Sequence, residues 1–140
     1  MIREFEPKDL DEVMEIWLIS NLQVHDFISK KYWRNNFTEV QRVMQLATVF
    51  VWEEEGKILG FIGALEGFIA GVFVAEAARS RGIGKALLDK MKDTFDSLSL
   101  AVYEKNVRAV RFYMREGMKV QSERTEESTG EKELLFAWEK

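Results

Sequence analysis

Residues 48–74 constrain this chain more than any other stretch. They read TVFVWEEEGKILGFIGALEGFIAGVFV, three β-rich runs separated by Glu55-Gly56 and by Gly67. Thr48 to Trp52 is β-branched and aromatic, Lys57 to Leu65 resumes strand character, and Ile69 to Val74 is a third, buried strand. Strands joined by such short turns form an antiparallel meander.

The flanking segments change period. Ile2 to Phe5 is a short strand, and Pro7 opens a helix with Leu10, Val13, Met14, Trp17 and Leu18 on one face. A loop is expected around Asn21 to Ile28, then a second helix with Trp33, Phe37, Val40, Met44 and Ala47 on one stripe. After the meander, a helix aligns Ile83, Leu87, Leu88 and Met91, and Leu98 to Val102 is a strand. Asn106 to Glu116 is a helix stopped by Gly117. Lys119 to Glu123 and Glu133 to Trp138 pair through a turn at Ser128-Thr129-Gly130. The expected order is β-α-α-β-β-β-α-β-α-β-β. It describes one α+β domain over residues 1–140, with a mixed central sheet of about seven strands flanked by four helices.

Composition removes several function classes. The chain has no cysteine and one histidine, so disulfides and thiolate metal sites are excluded and no metal is expected. A net charge of -4 gives no general basic field for nucleic acid. The longest apolar run, Gly67 to Ala75, is too short to span a bilayer, and MIREFEPKD lacks the apolar core of a signal peptide. The expectation is a cytoplasmic protein with neither membrane nor nucleic-acid partner.

One segment carries chemistry. RSRGIGKALL, Arg79 to Leu88, puts two glycines and three cations at the mouth of a helix. A helix N-terminus offers unpartnered N–H groups, glycines admit a phosphate close to backbone, and basic side chains neutralise it. A glycine-rich cap with solvated cations is the plainer alternative. Two better-known phosphate loops do not match: a Walker A loop needs a glycine where Arg79 stands and a hydroxyl where Ala86 stands. The dinucleotide fingerprint needs a third glycine where Leu87 stands.

Context narrows the anion. The loop follows the strand Gly71-Val-Phe-Val74, with Arg79, Gly82 and Gly84 in the spacing R-x-x-G-x-G. A second block runs Asn106-Val-Arg-Ala109-Val-Arg-Phe112-Tyr113, then Gly117-Met118. Together these resemble the acyl-CoA signature and the N-x-x-A-x-x-F-Y-x-x-x-G-F pattern of the GNAT superfamily of N-acetyltransferases. The likeness covers essentially the whole chain. SNLQVHDFISKKYW, VFVWEEEGKILGF and YEKNVRAVRFY are similar to bacterial members of the YiaC type.

The resemblance implies a fold, a cosubstrate and a site. The fourth and fifth strands would splay, and the pantetheine arm of acetyl-CoA would pair with backbone of Phe73 and Val74 in the gap. Arg79, Ser80, Arg81, Gly82, Ile83, Gly84 and Lys85 would hold the pyrophosphate, and Asn106 would position the cofactor or fix its own loop. Tyr113 would protonate the departing thiolate; from the residues alone, a core aromatic beside Ala109 and Val110 is the alternative. His25, Phe27, Tyr32 and Trp33 fall in the variable helical region and are acceptor-side candidates, although a lone histidine is commonly structural.

Two positions depart from the pattern. Ala101 stands where many amino-terminal acetyltransferases of the family carry a base glutamate. Glu66 is the substitute expected here, with an exposed turn residue as the alternative, and Glu104 is a second choice. Glu76 replaces a common proline, which would loosen the chain leaving the strand and place an anion near the phosphate loop.

Three readings follow. The first is an acetyl-CoA-dependent N-acetyltransferase acting on a protein lysine, a protein N-terminus or a small amine, as monomer or as homodimer through the final hairpin. Ala101 and Glu76 motivate the second, an acyl-CoA-binding sensor with little or no transfer. A nucleotide-binding α/β domain is the third, disfavoured by both failed loop patterns.

Overall fold

Both meander turns form with left-handed backbone at two successive residues: Glu55 and Gly56 at φ 51° and 78°, Glu66 and Gly67 at 52° and 84°. That geometry matches the strand twist and closes two-residue hairpins. In the computed structural model, which describes residues 1–140, the meander consists of β2 (Thr48–Glu54), β3 (Lys57–Leu65) and β4 (Phe68–Val74), with β1 at Ile2–Glu4. Helices α1 (Leu10–Val24) and α2 (Lys30–Met44) precede β2. After β4 come α3 (Ile83–Thr94), β5 (Ser97–Tyr103), α4 (Val107–Arg115), β6 (Lys119–Thr125) and β7 (Lys132–Glu139). The expected order therefore holds, with one adjustment: α1 continues through Asn21 to Val24, where a loop was expected to begin.

One sheet carries all seven strands in the order β1-β2-β3-β4-β5-β7-β6, antiparallel except for the β4–β5 pair. Alternate residues of the meander serve opposite faces. Phe50, Ile62 and Ala64 join α3 and α4 in one core with Ile83, Leu87, Leu88, Met91 and Tyr113. Val49, Val51 and Phe61 join α1 and α2 in the other, with Val13, Met14, Trp17 and Trp33. Covering both faces is what the continuous apolar runs of the meander require. No helix is long and apolar enough to cross a membrane.

The N-terminal corner is pinned by an ion pair that local patterning does not announce. The Arg3 guanidinium bonds both oxygens of buried Asp9, at 2.8 and 2.9 Å, and also reaches Glu53. Asp9 in turn accepts the Glu6 N–H, which starts the helical region.

Candidate active site

The single parallel pair is also the shortest. β4 and β5 are in register only at Phe68–Ser99 and Ile69–Leu100, and beyond these residues they part. Ala70 is a bulge, since Ile69 faces Ala64 while Gly71 faces Gly63. Backbone direction past the bulge follows from one bond: Ala75 N–H donates to the Leu59 carbonyl, in the register that sets Phe73 opposite Phe61. Antiparallel ladders alternate, so Phe73 directs its N–H and C=O to β3, whereas Val72 and Val74 turn theirs to the gap. The sequence expectation for Phe73 is corrected accordingly: its side chain lines the gap, and Val72 joins Val74 in offering backbone.

The gap is the inner wall of a cleft of about 400 Å³. Although the chain is acidic overall, the titratable side chains lining this cleft are Arg79, Lys85, Arg108, Arg115, His25 and Tyr113, with no carboxylate. Helix α3 begins at its rim. Gly82 is its N-cap at φ 80°, no side chain caps the first N–H groups, and a Cβ at Gly82 would meet nothing within 4 Å. The first turn thus presents bare N–H groups and positive dipole to an open space beside cations, an arrangement suited to an anion. Ser80 bends the loop with φ 65°, and Arg79 Nε donates to the Val74 carbonyl at 3.1 Å. Ile83 is 2% exposed and anchors α3 in the core.

Arg81 behaves otherwise. Its guanidinium bonds Glu54 on β2 at 2.5 Å, and it does not line the cleft. Glu76 is also directed elsewhere: it starts a 3-10 turn over Glu76–Ala78 and accepts from Gln23 of α1 at 3.0 Å.

Tyr113 is buried on α4, packed against Phe112 and Phe136. Its hydroxyl reaches the cleft and faces the backbone N–H of Val72, one of the two residues turned into the gap. Burial raises the phenol's pKa well above its ordinary value, and the facing N–H only partly offsets this. Asn106 caps α4 by accepting the Ala109 N–H and donates its amide to His25.

The acceptor-side candidates do converge. His25 stacks on Trp33 with centroids 5.3 Å apart, meets Phe27 and Tyr103 edge-on, and Tyr32 packs on Trp33 at 4.9 Å. Of these only His25 lines the cleft; Trp33 is 7% exposed and belongs to the core. Burial lowers the His25 pKa to about 4, so its imidazole is neutral near pH 7.

The carboxylates do not converge. Glu66 occupies the left-handed turn between β3 and β4, at the end where β4 and β5 are still paired, and is exposed. The expectation of a base there is corrected: the strand that carries it points the wrong end at the cleft. Glu104 is exposed and paired with Lys132. Arg108 and Arg115 are the lining cations that sequence reasoning missed; their spacing of seven along α4 was the available signal.

Fold and cleft define the class. The chain belongs to the acetyltransferase (GNAT) family, matched over residues 10–118. It is 42% identical over 122 residues to the peptidyl-lysine N-acetyltransferase YiaC of Escherichia coli K12, covering 86% of this chain and 84% of that protein. The solution structure of apo YjaB from Escherichia coli superposes with a TM-score of 0.79 at 25% identity, over 99% of this chain and 96% of that one. The paiA N-acetyltransferase of Thermoplasma acidophilum, solved in complex with coenzyme A, gives a TM-score of 0.80 at 17% identity. That superposition covers 100% of this chain and 98% of the other.

Proposed function

We propose that this enzyme transfers acetyl from acetyl-CoA to the side-chain amine of a protein lysine. The observation that carries the reading is the cleft between the parted strands: cations and a bare helix start at one side, free strand backbone and the Tyr113 hydroxyl at the other. The lysine acceptor rests on the 42% identity to a peptidyl-lysine N-acetyltransferase. A coenzyme A complex of the paiA neighbour supports the donor.

The residues fit such a donor. Arg79, Lys85 and the N–H groups after Gly82 match a pyrophosphate, and the empty space over Gly82 leaves it room. Val74 N–H and Val72 C=O match an amide-bearing arm as a strand partner would. Bound acetyl-CoA supplies an activated acyl carbon and a thiolate leaving group. The chain's own part is alignment and one proton. On this reading the Tyr113 hydroxyl, beside the Val72 backbone at the cleft, donates its proton into the cleft. As the amine nitrogen bonds to the acyl carbon and the C–S bond breaks, sulfur takes the Tyr113 proton and solvent restores it. With no carboxylate lining the cleft, the amine loses its own proton to water.

The test is thiol release with acetyl-CoA and lysine peptides, with products located by mass spectrometry. Acetyl-lysine formation is the expected result. Coenzyme A binding without turnover on any amine would instead support the sensor reading.

A further inference from the structure

Four hydrogen bonds run in one direction at the rim of the cleft. Ala109 N–H donates to Asn106 Oδ1 at 3.3 Å, and Asn106 Nδ2 to His25 Nε2 at 3.1 Å. His25 Nδ1 then donates to Asn21 Oδ1 at 2.8 Å, and Asn21 Nδ2 to the Trp17 carbonyl at 2.9 Å. The two ends dictate the middle. A backbone N–H can only donate, so Asn106 must turn its NH₂ to His25. A carbonyl can only accept, so Asn21 must turn its oxygen to His25. Only an imidazole protonated on Nδ1 and bare on Nε2 satisfies both neighbours. An imidazolium would set Nε2–H against the Asn106 NH₂.

The surroundings enforce the same state. Asn21 is 2% exposed, and Phe27, Trp33 and Tyr103 enclose the ring. The Tyr103 ring from β5 meets the imidazole edge-on, Lys105 lies over the neighbouring Phe27 ring, and no carboxylate, the adjacent Asp26 included, pairs with the imidazole. Both nitrogens are engaged, which leaves none to take a proton from an acceptor amine.

What the relay joins is informative. Asn21 belongs to α1, packed on one face of the sheet, and Asn106 caps α4, packed on the other. Helix α4 has only nine residues, too few to hold itself, and it carries Tyr113. Its C-terminal end is fixed to α3 by Lys92 Nζ, which donates to the Glu116 carbonyl. Its N-terminal end is fixed through Asn106 to His25.

We infer that His25 is a positioning residue for acetyl transfer, a neutral Nδ1–H imidazole that ties Asn106 to α1 and so sets the start of the helix carrying Tyr113. The inference rests on the acetyl-transfer reading, and its tests separate the two. His25 is the only histidine in the chain, so ring-nitrogen NMR reports it without ambiguity. The wild-type ring at pH 7 shows a proton on Nδ1 alone. In Asn106→Asp the new carboxylate demands a donor, and the ring becomes doubly protonated at pH 7. His25→Phe keeps the aromatic packing and removes both bonds; kcat falls about 10-fold while the KM for acetyl-CoA stays within about twofold, the loss expected of a misplaced group. Asn106→Ser keeps a helix cap and cuts the bridge. If both act through one relay, the double variant is no slower than the slower single variant. A wild-type ring protonated on Nε2, an unchanged kcat in folded His25→Phe, or multiplicative losses in the double variant would each overturn the inference. Should His25→Phe not fold, the two Asn106 variants and the ring spectrum still decide it. A wild-type chain inert toward every amine defeats the proposed activity instead, and leaves the ring spectrum as stated.

Discussion

Replacing Tyr113 by phenylalanine deletes one oxygen and leaves the ring in place against Phe112 and Phe136, at 5.1 and 6.0 Å between centroids. Two quantities then move independently. The structural loss is the contact between the hydroxyl and the Val72 N–H, which opens onto the cleft and can be taken up by water. Such a contact is worth about 0.5–1 kcal/mol, or a fall of about 2–3 °C in melting temperature for a domain of this size. The chemical loss is larger. A positioned general acid contributes about 100-fold or more, and a thiolate leaves tolerably well unaided, so the lower end applies: about 100-fold in kcat, or about 2.7 kcal/mol. The KM for acetyl-CoA stays within about twofold, because the phenol makes no part of the cationic rim. Initial rates of thiol release across acetyl-CoA concentrations, with a melting curve on the same preparation, read both effects. A kcat within about threefold of wild type, in a folded variant, would refute the acid role; an equal loss in cofactor affinity would assign Tyr113 to binding.

Other consequences follow from the same geometry. Arg79→Ala raises the KM for acetyl-CoA about 10-fold, whereas Arg81→Ala leaves it within about twofold, because Arg81 is engaged by Glu54 outside the cleft; steady-state kinetics on the pair checks this. Gly82→Ala costs about 1 kcal/mol for a left-handed alanine and puts a methyl where the anion belongs, so isothermal titration shows weakened coenzyme A binding with only a small drop in melting temperature. The logarithm of kcat/KM rises with pH from 7 toward the amine's own pKa, with no descending limb below pH 10, since burial holds the Tyr113 phenol protonated there; a plateau already reached at pH 6–7 would reveal a carboxylate base. Stability has its own pH limb. The His25 pKa is about 4 in the fold against 6.5 for the free side chain. Between those values the unfolded chain binds a proton that the folded chain does not, so stability falls as pH is lowered through this window, by up to about 1.4 kcal/mol per unit. Melting curves of wild type and His25→Phe separate this contribution, which the variant lacks.

Local features were legible in the sequence and distant ones were not. The meander and its turns follow from neighbouring residues, because two-residue hairpins need left-handed backbone and Glu55-Gly56 and Glu66-Gly67 supply it. The helix start after Gly82 is equally local. Four things depended on how segments meet in the fold. Arg81 looked like a phosphate ligand until Glu54, 27 residues earlier, claimed it. Backbone parity in β4 depended on the bulge at Ala70, which decides whether Phe73 or Val72 faces the gap. Glu66 looked like a base because it ends an apolar run, yet the short β4–β5 pairing closes that end of the sheet. The bond between His25 and Asn106 spans 81 residues.

These long-range facts share a physical origin. A parallel pair held at two registers cannot satisfy the rest of its backbone, and buried backbone groups without partners are costly. The chain answers in three ways along β4. Arg79 takes the Val74 carbonyl, the Tyr113 hydroxyl faces the Val72 N–H, and the Val74 N–H with the Val72 carbonyl is left to the open cleft. The groups closest to the gap therefore serve structure when it is empty, and under the proposed function they are the ones that meet an arm of matching amides. Because Tyr113 is one of those stopgaps, whatever fixes α4 also fixes where the proposed proton donor stands. The relay through His25 and the bond from Lys92 hold that helix at its two ends, which makes alignment of Tyr113 a property of the whole fold rather than of its own helix.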